Sequence, residues 1–302
     1  MEKIDLSIII VSYNTKNFLK KCLESIKLNP NYEIIVADNG STDGSLAMLK
    51  GLKEKNKQNL TIIGNQKNLG FAKANNKALE KAQGRLVLFL NPDTILGKET
   101  LKTMIDFMDE NPKVGAATCR VELTNGRLDQ ACHRGFPTVW NSFAYFSGLE
   151  KLFPKSPIFA GYSLTYLPLG KIHEIDAGCG AFLMVRQEAG SQISWFDEDY
   201  FWYGEDLDFC YRLKEKDWKI MFVPTTKITH WKGAASGIKR HSQGISTASK
   251  ETKIKAAKAS VKVMRLFFQK HYQHKYPKVI YWLTMLGISF LEKIRLFKIS
   301  YL

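Results

Sequence analysis

The segment 204-GEDLDF-209 sets three carboxylates, Glu205, Asp206 and Asp208, within four positions, beside the aromatics of 200-YFWY-203. Leu207, Cys210, Tyr211 and Lys214 follow at helical spacing, which predicts a helix starting near Glu205. Its partial positive end keeps an acid ionised. An ionised carboxylate among aromatics can take a proton from a hydroxyl nucleophile. Position alone does not choose between Glu205 and Asp206, and all three also suit plain helix-start acids. In 91-NPD-93, Pro92 fixes the local backbone and aims Asn91 and Asp93 at one point. One carboxylate there suits a hard divalent ion that completes its shell with water and phosphate, although helix capping before Lys98 is the plainer role. Asp38 ends an apolar run and precedes Asn39-Gly40, so it suits a turn or a contact to a nucleobase or ribose. His230, in 229-THWKG-233, is a structural histidine or a ligand for Mn²⁺.

These residues sit on a recurring pattern. Apolar runs at 6–12, 33–38, 60–64, 85–90 and 114–123 read as strands. Amphipathic stretches at 17–27, from Asp43 or Ser45 to Lys53, 70–81 and 98–109 read as the helices between them. Alternating strands and helices give a parallel, doubly wound sheet, whose ligands bind outside the carboxyl ends of the strands. SYN (12–14), DNGSTDGS (38–45) and NPD (91–93) all fall at those ends. Residues 124–175 are irregular, with turn signals at Asn125-Gly126, Pro137, Pro154 and Pro168. Segment 175–185 reads as a further buried strand, with Gly178 and Gly180 marking close approach or tight packing. KIMFVP (219–224) and KITHWKG (227–233) follow as two more.

Apolar residues at 45% can build a substantial core, and charged residues at 24% argue against disorder. The five cysteines include no CxxC pair, which excludes a zinc ribbon or a disulfide framework and suits a reducing cytosol. The opening MEKIDLSIIIVSYN has no signal-peptide pattern. The first strand is followed by SYNTKNF in place of GxGxxG, so a dinucleotide-binding dehydrogenase is unexpected, and no phosphate-binding P-loop occurs. Residues 239–302 hold 14 Lys/Arg against 2 Asp/Glu, so most of the formal +15 charge lies there. That predicts a main domain over 1–238 and a basic helical tail over 239–302. Within the tail, 279-VIYWLTMLGISFL-291 is too short to span a bilayer, which needs about 20 apolar residues. A helix lying in an anionic membrane interface fits it better than packing on the domain or on a partner.

Taken in order, SIIIVSYN, VADNGSTDGS, NLGFAKANN, LFLNPD, NGRLDQACHRGFPT, GAFLMVR, WFDEDYFWYGEDLDFCYRLKEKDWKIMFVP and THWKGAASG resemble glycosyltransferase family 2, in its rhamnosyltransferase-like bacterial branch. The resemblance implies an α/β, GT-A-type doubly wound, mixed but mainly parallel sheet flanked by helices. It implies an inverting sugar transfer from a nucleoside diphosphate sugar, with dTDP-rhamnose the first expectation and UDP-sugars the next. The acceptor would be a glycan or a polyprenyl-linked glycan of the cell surface. It further implies that Ser12, Tyr13, Asn14, Asp38, Asn39, Asn68, Gly70, Phe71, Asn75 and Asn91 shape the donor pocket. Asp93 and His230 would hold Mg²⁺ or Mn²⁺. Asp206 would be the general base, with Glu205 beside it, and Trp202, Tyr203, Gln130 and Arg134 would face the acceptor. One departure is Ala74-Asn75-Asn76, where many members carry an arginine for the diphosphate. Lys73, Arg120 or Arg134 could replace that charge.

These implications place the protein on the cytoplasmic face of the membrane and give nucleic acid no role. A nucleotidyltransferase would need a basic, glycine-rich N-terminal loop that SYNTKN lacks. A nucleic-acid binder would leave Asp38, Asp93 and Asp206 unexplained, and an inactive scaffold would not need all three.

Overall fold

A computed structural model of the chain describes residues 4–27, 29–55, 59–231 and 250–300. The expected domain boundary at 238/239, and the part of THWKGAASG beyond Trp231, lie outside the described residues.

The first half alternates as its periodicity requires. Strands β1 (Leu6–Ser12), β2 (Tyr32–Asp38), β3 (Leu60–Gly64) and β4 (Leu86–Leu90) are joined by helices α1 (Lys16–Ser25), α2 (Ser45–Lys55) and α3 (Phe71–Leu79). All four strands are parallel, in the order β3-β2-β1-β4. The strands pair as continuous apolar runs because helices cover both faces; Ile8, Ile9, Ile10, Val36, Leu88 and Phe89 are buried. Asp43 serves two helices at once. Its carboxylate accepts the backbone N–H of Lys16 (2.8 Å) at the start of α1 and that of Ser45 (3.0 Å) at the start of α2.

A short strand β5 (Thr94–Leu96), helix α4 (Thr100–Glu110) and the long strand β6 (Val114–Leu123) follow. The irregular stretch holds a 3₁₀ turn at Gln130–Cys132, helices α5 (Val139–Ser147) and α6 (Leu149–Leu152), and a two-residue strand β7 (His173–Glu174). Strand β8 (Phe182–Arg186) leads into α7 (Gln187–Gln192), then α8 (Glu205–Lys214), β9 (Lys219–His230), α9 (Lys250–His271) and α10 (Lys278–Ser300). The complete order is β3-β2-β1-β4-β8-β6-β9-β5, with β7 also on β9. β8 is antiparallel to β4 and β6, while β6 and β9 are parallel, so the sheet is mixed and mainly parallel.

Two expectations change. Residues 175–181 are not strand. The chain turns there, with Phe182 N–H bonded to Cys179 C=O (3.2 Å), and Gly180 lies against the Phe71 ring, where a β-carbon would stand 2.9 Å from it. The two strands expected over 219–233 are one, β9. Its pairing with β6 jumps from Cys119–Val223 to Arg120–Lys227, so residues 224–226 bulge around Pro224 and the strand continues.

Part of the expected tail packs on the body: Phe267 and Phe268 of α9, and Tyr272 just after it, join the same hydrophobic core as the sheet. Burying each phenylalanine stabilises the packing by about 1.5–3 kcal/mol. α10 then lies on α9, where Arg265 donates to Glu292 (2.7 Å) and Arg295 to Ser260 (2.6 Å). Among the described residues, no helix is long and apolar enough to cross a membrane.

Candidate active site

The sheet order reverses between β1 and β4, and the crevice outside their carboxyl ends is where such sheets take ligands. Asp38 ends β2 directly opposite Ser12 of β1. Its Oδ1 accepts the N–H of Ser41 (3.0 Å). Its buried Oδ2 finds no partner among the described residues. A buried carboxylate oxygen left open costs free energy unless a donor meets it, and the imide N–H of a pyrimidine is such a donor.

Other expected donor-pocket residues spend their hydrogen bonds on the chain itself. Asn39 donates to Asn68 Oδ1 (2.9 Å) and Gly70 C=O (3.2 Å), and accepts from Asn65 (3.3 Å) and Leu69 N–H (3.0 Å). That uses its full amide capacity, so its side chain ties the β2 and β3 loops together. Asn75 donates to Phe71 C=O one turn back (2.9 Å), and Asn68 accepts Gly70 N–H (2.9 Å). Ser12 pairs with Thr15 (2.9 Å), and Asn14, at φ 52°, accepts Thr42 N–H (2.8 Å). Gly70, at φ 84°, permits Phe71 N–H to reach Phe201 C=O, which a β-carbon would approach to 2.7 Å. Tyr13 is exposed at the rim, and Asn91 follows β4 with its N–H on Ala181 C=O (3.3 Å).

Asp93 meets His230 because β5 pairs antiparallel with β9, with Thr94 opposite His230. Asp93 Oδ1 stands 3.2 Å from His230 Nε2, and Trp231 N–H bonds to Asp93 C=O (2.9 Å). On the other side of the ring, Asp129 Oδ2 stands 3.1 Å from Nδ1. Burial disfavours the charged ring, but Asp93 and Asp129 together outweigh it and raise the His230 pKa to about 9. Oxygen and imidazole donors suit Mn²⁺ and tolerate Mg²⁺. Bonds of about 2.1 Å place neighbouring ligands of an octahedral ion about 3 Å apart, which the Asp93–His230 separation matches. Among the described residues, no three His, Cys, Asp or Glu side chains are grouped to hold a metal unaided. Asp93 and His230 therefore fit a divalent ion that substrate phosphate and water would share.

The acid pair opens α8. Gly204, at φ 80°, turns the chain into the helix, and α9 closes on this turn, since a β-carbon at Gly204 would stand 3.2 Å from that of Val263. Asp206 Oδ2 accepts from Arg134 (2.8 Å), whose guanidinium also donates to Gly178 C=O (2.8 Å). Glu205 is buried, and its Oε2 has no partner among the described residues. Burial first, and the adjacent Asp206 second, hold its carboxyl well above the ordinary range. Trp202 and Tyr203 stack beside the pair, 5.6 Å between centroids.

Of the expected acceptor contacts, Gln130 instead bridges two loop carbonyls, His133 (2.8 Å) and Ser163 (2.7 Å). Of the three cations expected to replace the missing arginine, Arg120 is paired with Glu122 and Lys73 with Glu198, while Arg134 is held on Asp206. Sequence reasoning missed Asp129, although the Asn125-Gly126 turn signal preceded it. It also left Asp208 without a role. That carboxylate is fully buried and accepts from Arg212 (2.7 Å) on its own helix and from His271 (2.7 Å) on α9.

The mixed, mainly parallel sheet flanked by helices is a GT-A fold. TarS residues 1–349 from S. aureus, in a complex with UDP-GlcNAc, superimpose with a TM-score of 0.51 at 20% identity, covering 86% of this chain and 66% of that one. The Pyrobaculum calidifontis mannosyltransferase PcManGT, with GDP-Man and Mn²⁺, gives 0.57 at 16% identity over 98% of this chain and 87% of its own. Residues 7–167 match the profile of Glycosyl transferase family 2, and the chain belongs to that family. It is 30% identical over 234 residues to the rhamnosyltransferase WbbL of Escherichia coli K12, covering 74% of this chain and 82% of WbbL. It is 26% identical over 251 residues to the N-acetylglucosaminyl-diphospho-decaprenol L-rhamnosyltransferase of Mycobacterium tuberculosis, covering 77% and 78%. The protein is a glycosyltransferase.

Proposed function

We propose that the protein is an inverting transferase of cell-surface polysaccharide synthesis. It moves a sugar, rhamnose from dTDP-rhamnose before a UDP-linked hexose, to a hydroxyl of a glycan or polyprenyl-linked glycan. The observation that supports this reading is the placement of Asp38, with one open oxygen, at the end of β2 and of the Asp93–His230 pair directly after β4, while the turn that opens α8 is tied to α3 by Phe71 N–H on Phe201 C=O. The likeness to two rhamnosyltransferases supports the sugar.

Asp38 receives the base, with Ser12, Tyr13 and Asn14 framing the pocket and Asn39, Asn68, Gly70, Phe71 and Asn75 fixing its loops. Asn91 and Asp93 follow β4 to the diphosphate. A divalent ion on Asp93 and His230 would neutralise charge growing on the leaving diphosphate. Asp206 takes the acceptor hydroxyl's proton as its oxygen bonds to the anomeric carbon. The bond from that carbon to the diphosphate oxygen breaks on the opposite face, so the centre inverts. Arg134 holds Asp206 through Oδ2 and so orients the carboxylate, whose remaining lone pairs stay open to the acceptor hydroxyl. Glu205, protonated beside it, avoids a second negative charge and offers a hydrogen bond to the sugar. Trp202 and Tyr203 form an apolar wall for the acceptor.

The outer face of α10 supports a place on an anionic membrane. Val279, Trp282, Leu283, Leu286, Phe290 and Phe297 form one exposed stripe at helical spacing. Lys278 and Lys293 lie along it, with stems that can rest on apolar surface while their charges reach lipid phosphate. A second exposed aromatic group, Trp140, Phe143 and Phe146, lies on α5, whose Tyr145 neighbours Arg295 of α10.

A screen of dTDP-rhamnose, UDP-glucose, UDP-GlcNAc and GDP-mannose with Mn²⁺, read by donor hydrolysis and thermal shift, tests the donor. Hydrolysis of GDP-mannose alone would end the pyrimidine assignment of Asp38. Vesicle flotation tests the membrane: Trp282→Ser with Phe290→Ser should abolish binding to anionic vesicles with an unchanged melting temperature. Undiminished flotation would remove α10 from the interface.

A further inference from the structure

We infer that Asp129 is the positioning residue of the cation-binding pair: its carboxylate accepts a hydrogen bond from His230 Nδ1–H and presents Nε2 toward Asp93. This rests on the reading of Asp93 and His230 as the metal-holding residues, and it adds a residue from a different element.

The geometry starts in the sequence. Asn125-Gly126 closes a tight hairpin, with Gly126 at φ 76° and Leu123 N–H on Arg127 C=O (2.8 Å). The returning strand runs back along β6, where Glu122 bridges Leu128 and Asp129 N–H bonds to Val121 C=O (2.8 Å). β6 also pairs with β9, with Leu123 opposite His230. The hairpin therefore sets Asp129 against the imidazole from the side away from Asp93.

The Asp129 carboxylate is 2% exposed and its two oxygens are divided. Oδ1 accepts Ala131 N–H (3.0 Å), which holds the group in one orientation, and Oδ2 faces His230 Nδ1. A histidine that binds a metal must keep its proton on the other nitrogen, and the partner of that nitrogen selects the tautomer. A fixed carboxylate there also raises the basicity of the ligating nitrogen and locks the ring. With Asp93 and Asp129 on opposite sides of the ring, two negative charges balance one divalent cation. His133, the other buried histidine of this segment, meets His173 (2.7 Å between Nε2 atoms) and the Phe222 ring, and among the described residues no carboxylate bonds to its Nδ1.

The test is calorimetric titration of MnCl₂ into full-length protein saturated with UDP or dTDP, whichever binds the wild type more tightly. Each variant is also titrated with that nucleotide in EDTA. Asp129→Ala should weaken Mn²⁺ binding by about 10–100-fold and leave nucleotide affinity in EDTA unchanged. Asp129→Asn, which keeps the shape and an accepting oxygen but not the charge, should fall between them. It decides the matter if the alanine variant does not fold. Wild-type Mn²⁺ affinity in both variants, with affinity lost in Asp93→Ala, overturns the role of Asp129 and leaves the metal reading standing. A parallel loss of nucleotide affinity in EDTA also overturns it, by marking a general distortion. Unchanged Mn²⁺ affinity in Asp93→Ala and His230→Ala would instead sink the metal reading itself.

Discussion

The two ends of the site solve one electrostatic problem with different cations. At the proposed diphosphate end, Asp93 is held 3.2 Å from His230; at the proposed acceptor end, Asp206 is held 2.8 Å from Arg134. In each, a carboxylate at the end of one element is restrained by a cation from another. Imidazole can give up its proton and become a metal ligand, so the first pair can open to a divalent ion without moving apart. Guanidinium stays charged at any ordinary pH. The second pair keeps its cation whatever the pH, so on the proposed function it orients the base and does not release it. On that reading one pair can exchange its cation and the other retains it.

The sharpest way to break this comparison is Asp206→Asn. Turnover should fall about 10²–10⁴-fold with donor affinity kept, measured by steady-state kinetics beside donor titration. Near-normal turnover would mean that the proton goes elsewhere. Arg134→Met comes next. Without the guanidinium, Asp206 loses the ion pair that holds its carboxylate in place, so turnover should fall about tenfold with donor affinity kept, and unchanged turnover would show that Arg134 does not position the base.

His271→Ala tests the support beneath both acids of α8. It removes one of two donors to the buried Asp208 and should cost about 1.5–3 kcal/mol, read from the urea midpoint. A midpoint equal to wild type would mean that α9 does not brace the helix. The smallest effect is expected from Glu205→Gln. The folded protein holds the Glu205 proton more tightly than the unfolded chain, because burial and then Asp206 raise its pKa. Its contribution is therefore full below the ordinary carboxylate pKa and is lost as pH rises through the raised value. The glutamine variant should gain on wild type as pH rises across that window, with the gap closing near pH 4. Parallel melting curves across pH would refute the protonated state of Glu205.

The first half of the fold was readable because its strands are apolar on both faces and its helices carry one clean stripe. β3 and β6 occur over the expected residues, and β1 and β2 differ by at most one. The second half was less readable where register and packing decide. β5 has three residues, too few for a periodic signal, yet it is the element that brings Asp93 to His230. The 175–181 segment looks like strand by composition, and the Phe71 ring against Gly180 is one of the contacts that turn it away. In the tail, charge and apolar content suggested a surface helix, and that description suits the face of α10. Nothing local distinguished α9, whose phenylalanines become core only because α8 and the sheet meet them.

By itself, the sequence determined which side chains stand at the carboxyl ends of the early strands, since a strand's end and the residue after it are local properties. It also determined that acids open α8, because a glycine turn and helical spacing are written in adjacent positions. Only the tertiary structure decided which acids work together. Asp129 and His230 are 101 residues apart, and Arg134 and Asp206 are 72 apart. They meet through the pairing of β6 with β9 and the packing of α8 under the 134–178 bridge. A side chain's charge state depends on such neighbours and on the water they exclude, and neither is encoded at the residue itself.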